Sequence, residues 1–103
     1  MVHEVHKNDL TQAQAADVAV LDFNATWCTP CKMLAPVLEA ASEELEGKAL
    51  FYGIDVDENP ALAQQFGISS IPALVVLKNG QPVARQVGFM PKVTLMHWLG
   101  TVL

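Results

Sequence analysis

Cysteine is scarce in this chain, with two residues, Cys28 and Cys31, among 103. No second pair exists, so an all-cysteine metal site is excluded. A Cys2His2 site would have to draw on His3, His6 and His97, of which the first two lie close together and ahead of the cysteines. Basic residues are also few, six against eleven acidic ones, for a net charge of -5. That balance argues against nucleic acid or an anionic membrane as partner. No apolar run approaches the ~20 residues of a membrane span. Met1 to Lys7 lacks the basic-then-apolar order of a signal peptide, so the expected location is the cytoplasm. Repeats, linkers and low-complexity stretches are missing as well. What remains is 51% hydrophobic and 17% charged, the composition of a globular chain. Residues 1–103 are expected to form one domain, burying roughly 60–70% of the unfolded surface around a core that needs no staples.

The two cysteines stand in Ala25-Thr26-Trp27-Cys28-Thr29-Pro30-Cys31-Lys32. A strand-like run, Val18 to Phe23, leads in, and a helical pattern follows from Pro30. A thiol in the first turn of a helix sits beside unpaired backbone N–H groups and the positive end of the macrodipole. Cys28 should therefore ionise more readily than a free thiol of pKa ~8.5. Cys31, one turn further in, should be more enclosed and within reach of the first sulfur. Three other readings share this spacing: half of a zinc site, a structural disulfide, or two unrelated buried thiols. A disulfide across so short a loop stabilises little, and a helix-opening Trp-Cys-x-Pro-Cys is a poor place to hide inert thiols. In a reducing cytosol such a pair is catalytic or metal-binding more often than structural.

Along the chain, Val2 to Val5 alternates and reads as a short edge strand. Asp9 with Gln12 resembles a capping box opening a short helix to about Ala15. Val18 to Asn24 is almost continuously apolar, as a strand buried on both faces must be. Asp22 interrupts it, and carboxylates are rarely buried without a partner or a task. Leu34, Val37, Leu38, Ala41 and Leu45 fall at helical spacing. Pro36 should kink that helix and Gly47 should stop it. Ala49 to Val56 reads as a strand, and Asn59-Pro60 as N-cap and first residue of a helix that Gly67 ends. Ala73 to Lys78, a turn at Asn79-Gly80 and Gln81 to Val87 form a hairpin, with Pro82 placing its second strand on an edge. Lys92 to Val102 closes as a helix, with Val93, Leu95, Met96, Leu99, Val102 and Trp98 supplying core. Alternating elements followed by a hairpin imply an α/β fold, a mixed sheet of four or five strands with helices on both faces.

The Trp27-to-Lys32 motif, with Leu21-Asp22-Phe23 upstream and Ile71-Pro72 downstream, resembles the thioredoxin family. Asn59-Pro60, Phe66-Gly67-Ile68, Lys78-Asn79-Gly80 and Gly88 fall in register, so the resemblance runs from about Val5 to Val102. It implies the thioredoxin fold and a dithiol–disulfide oxidoreductase acting on disulfides of partner proteins. By the same resemblance Cys28 attacks, Cys31 resolves and Asp22 accepts or relays a proton. Ile71-Pro72 would be cis against the dithiol, pairing its backbone with an extended substrate segment. Trp27, Ile71 and Gly88 would form the rim, and Thr29, Pro30 and Pro72 complete the substrate surface. No metal or organic cofactor is implied beyond the Cys28–Cys31 disulfide. A thioredoxin reductase would return electrons, and the protein is expected to be monomeric.

Four positions depart from the family pattern. Thr29 stands where Gly is usual, Asn24 where Trp is usual, Gly53 where a Lys often faces the buried Asp, and Ser70 where Gly precedes Ile-Pro. Without a facing lysine, desolvation should raise Asp22 far above its reference pKa of ~3.9, toward neutrality. Pro30 favours a reductant over an oxidant or isomerase, since oxidising relatives carry His there. A thioredoxin-fold scaffold with idle thiols and a zinc-binding protein are the rivals from other classes.

Overall fold

The computed structural model describes residues 1–103. Its elements run β1 (Val2–Glu4), α1 (Thr11–Ala15), β2 (Val18–Asn24), α2 (Thr29–Glu44), β3 (Leu50–Asp55), α3 (Pro60–Gln65), β4 (Ala73–Lys78), β5 (Gln81–Val87) and α4 (Lys92–Val102). The five strands form one sheet in the order β1-β3-β2-β4-β5. β3 runs parallel to both β1 and β2, while β4 is antiparallel to β2 and β5. This is the mixed sheet expected from the sequence, and β2 lies at its centre.

Alternation along β2 divides the core. Ala19, Leu21 and Phe23 pack on one face with Tyr52, Ile54, Val75, Leu77, Ala13 of α1 and Leu62 of α3. Val20 points the other way, toward Phe51, Leu74, Val76, Leu34, Leu38 and Ala41 of α2, and Leu95 and Leu99 of α4. Burial of one such side chain contributes about 1.5–3 kcal/mol, and both faces need helices because β2 is apolar on each. No helix is long and apolar enough to cross a membrane.

The hairpin turns at Asn79 and Gly80, both with positive φ (50° and 78°), which is the primed turn that matches strand twist. β5 lies on the edge with Pro82, and its pairing shifts register beside Val76 and Leu77. α2 continues through Pro36 from Thr29 to Glu44 and stops at Leu45, ahead of Gly47.

Local expectations fail at three points. Val93 is 83% exposed and supplies no core, because α4 buries the Leu95–Leu99 stripe and leaves Met96, Trp98 and Val102 half-covered. The Asp9–Gln12 capping box does not form. α1 starts at Thr11 behind Leu10, and Asp9 instead accepts a hydrogen bond from the Thr11 N–H (3.1 Å). Asn59 precedes Pro60 but does not cap α3 with its side chain. Fully buried, it donates to the carbonyls of Val5 and Asp55 (3.1 Å each) and accepts from the Asn8 N–H (2.8 Å). The helix is capped across the chain, the Leu62 N–H donating to Asn8 Oδ1 (3.1 Å). A buried amide satisfies the loop after β1 in preference to its own helix, since unpaired backbone groups there would be costly.

Candidate active site

The dithiol lies where β2 ends and α2 begins. Cys28 is the N-cap of α2 in an extended conformation, with Pro30 in the first turn. Its Sγ accepts a hydrogen bond from the Cys31 N–H (3.3 Å). The sulfur thus occupies the place of a capping oxygen, where orphan N–H groups and the helix dipole stabilise negative charge. Cys28 and Cys31 are joined in a disulfide with Cα atoms 5.2 Å apart. No group of three or more metal-ligating side chains occurs in the structure.

The two sulfurs differ less in cover than the sequence suggests. Cys28 is 6% and Cys31 4% exposed in this oxidised form. They differ in what they face. Cys28 adjoins the rim, where Trp27 is 67% exposed and its Nε1 donates to Asp57 Oδ2 (2.8 Å). Thr29 and Pro30 are exposed beside it. Cys31 lines a cavity of about 590 Å³ on the α2 side of the sheet, together with Asp22, Asn24, Lys32, Glu39, Gly53 and Glu4.

Asp22 is 6% exposed. Oδ2 accepts from Asn24 Nδ2 (3.2 Å), and Oδ1 has no hydrogen-bond partner. Burial pushes its pKa up to about 7, the Asn24 hydrogen bond pulls it down, and the Glu4 carboxylate adds to the rise. This agrees with the near-neutral titration expected for a carboxyl without a facing cation. The Asn24 amide bond was not foreseen. Residues 22 and 24 share a strand face by the two-residue period, which is the signal that could have shown it.

The remaining predicted site residues also converge. Ile71 packs, half-buried, against the cluster of Ala25, Cys28 and Cys31. The Ile71–Pro72 bond is cis, Pro72 is buried, and its carbonyl accepts from the Gly88 N–H (2.8 Å). Gly88, at φ 99°, thereby ties the end of β5 to the start of β4. Asp57, the Trp27 partner, carried no local motif and comes from the loop after β3.

Two sulfurs that can open and close a bond at a helix N-terminus, one of them sharing a cavity with a carboxyl of raised proton affinity, define the chemistry of dithiol–disulfide exchange. The thioredoxin family model matches residues 1–101. Curated thioredoxins of Staphylococcus aureus strains Mu50 and MW2 are each 51% identical over 91 residues, 88% of this chain and 88% of theirs. The chain belongs to the thioredoxin family, and its fold is the thioredoxin fold. It is a thiol–disulfide oxidoreductase with a redox-active Cys28–Cys31 pair, and the family implies disulfide-containing proteins as substrates.

Proposed function

We propose that the chain, working as one domain and as a monomer, reduces disulfides of cytoplasmic partner proteins with Cys28 as nucleophile and Cys31 as resolving thiol. In the reduced protein the Cys28 thiolate attacks a partner disulfide. A bond forms between Cys28 Sγ and one partner sulfur, and the other partner sulfur leaves as a thiolate. Cys31 gives its proton to Asp22 and attacks Cys28 Sγ. The mixed disulfide breaks, the partner departs with both sulfurs reduced, and the Cys28–Cys31 disulfide closes. A thioredoxin reductase returns two electrons, and the proton on Asp22 goes back to Cys31. The observation that supports these roles is the division of the site: Cys31 and Asp22 line one cavity, whereas Cys28 accepts a helix N–H next to the exposed Trp27.

Substrate docks across Trp27, Thr29, Pro30, Ile71, Pro72 and Gly88. An extended segment pairs with the backbone at Ile71, a mode that gives affinity with little side-chain selectivity. The test is a pair of variants offered a disulfide-bonded test protein. Cys31→Ser should accumulate the mixed disulfide and Cys28→Ser should form none. Reduction by Cys28→Ser at the wild-type rate would overturn the assignment and favour a role in which the thiols are idle.

A further inference from the structure

The row of residues that crosses the sheet behind Cys31 contains a gap with a carboxyl on each side. Gly53 is the Cα partner of Glu4 on β1 and of Asp22 on β2. All three share the face that packs on α2, since Asp22 alternates with the inward Val20 and Gly53 with Phe51. Glu4 and Asp22 are therefore two strand spacings apart, about 10 Å between Cα atoms. Only a glycine lies between them. The space is not left open by chance geometry alone, because Glu4 fills it. A Cβ placed on Gly53 would stand 2.6 Å from Glu4 Oε2 and 3.3 Å from its Cδ. The Glu4 carboxylate thus leans over the glycine toward the cavity that holds Asp22 and Cys31. Asp22 lines the same cavity, and its Oδ1 is buried without a partner.

We infer that Glu4 is a positioning residue of the dithiol site, whose carboxylate over Gly53 adds to the burial of Asp22 in opposing proton loss there and so helps set the pH at which Cys31 can be deprotonated for resolution. The inference rests on the reading of Asp22 as the acceptor of the Cys31 proton. The step is a transfer of one proton from Cys31 Sγ to the Asp22 carboxylate, and it cannot start while Asp22 already holds one. A negative charge over Gly53 disfavours ionised Asp22. Removing that charge makes the base available at lower pH.

The other charges around the pair are distributed unevenly. From α2, Lys32 and Glu39 line the cavity with opposite signs. Around Glu4, burial raises its carboxyl pKa, His6 lowers it, and Glu58 and Asp55 raise it. Glu4 is on an exposed edge strand, so its replacement leaves the core intact.

The experiment combines an NMR titration of the Asp22 carboxyl with the pH profile of mixed-disulfide resolution in wild type, Glu4→Gln and Glu4→Lys. Glu4→Gln should lower the Asp22 midpoint by roughly half a pH unit, Glu4→Lys by more, and the onset of fast resolution should move to lower pH in the same order. An Asp22 midpoint unmoved in both variants overturns the inference and leaves the proposed roles of the cysteines standing. A midpoint that moves while the resolution profile does not shows that Asp22 is not the acceptor, and the inference falls with that reading. Glu4→Gln is also made in an Asp22→Asn background. A shift of the profile there would show Glu4 acting elsewhere and would likewise overturn it.

Discussion

Asp22 and Phe23 are consecutive residues of the central strand, and the two sides of the sheet they face are built on opposite terms. Phe23 enters a closed face, fully buried, its ring tilted against that of Phe66 with centroids 5.5 Å apart, among apolar side chains of α1, α3, β3 and β4. Asp22 enters the other face, where the apolar packing of Phe51, Leu34 and Leu38 gives way to a cavity at the dithiol end. One face maximises burial. The other accepts a carboxyl with an unpartnered oxygen in the cavity that Cys31 also lines. Hydrophobic burial holds this sheet well enough to carry a costly group on one side, and the cost sits where the proposed resolution step calls for a base of near-neutral pKa.

The largest expected effect comes from opening the closed face. Phe23→Ala should lose about 3–5 kcal/mol of stability in denaturant titrations at any pH where the protein folds. A loss below about 1 kcal/mol would show that Phe66 and its neighbours collapse into the space, and that the face is less tightly packed than its burial implies.

On the other face, Asp22→Asn should stabilise, and only at the right pH. The folded carboxyl has a pKa of about 7 against a model value of 3.8. Below the unfolded value both states hold the proton, and burial then carries no ionisation penalty. Between the two values the unfolded chain ionises first, so stability falls as pH rises, and above the folded value the loss is complete. The full penalty is up to roughly 4 kcal/mol. Denaturation midpoints should therefore show Asp22→Asn gaining most near pH 8 and almost nothing near pH 4. A gain independent of pH would mean that shape, and not charge, separates the two residues. The same variant should slow release of the mixed disulfide, since in the proposed mechanism Cys31 loses its acceptor.

The smallest effect sharpens the comparison. Asn24→Ala removes the one side-chain donor to Asp22 and should move the carboxyl titration further up, read by NMR. A downward move would show that water entering the cavity solvates Asp22 better than the amide does.

Much of this is legible in the sequence. Period-two and period-3.6 patterns placed the strands and the long helices. Asn79-Gly80 announced the hairpin, and the lone cysteine pair with its flanking Trp, Asp and Ile-Pro identified the family. Terminal caps were less legible. Asn59 has the sequence of a cap, but its buried amide is taken by Val5, Asn8 and Asp55, partners that no local window contains. Val93 is apolar, but two residues before Leu95 it falls on the opposite side of α4 from the buried Leu95–Leu99 stripe.

The sequence by itself determined the order of the elements, the burial of β2 and the placement of a sulfur at the start of α2. Each of these depends on residues close together in the chain: apolar period, a proline in the first helical turn, two cysteines three positions apart. Only the tertiary structure decided that Glu4 joins Gly53 beside Asp22. Parallel pairing of β1 with β3 brings Glu4 across Gly53, and crossing from β3 to β2 sets that same glycine beside Asp22. The proton affinity of a buried carboxyl is fixed by the charges and cover within a few ångströms of it. Those neighbours are assembled by strand register, which the one-dimensional pattern does not contain.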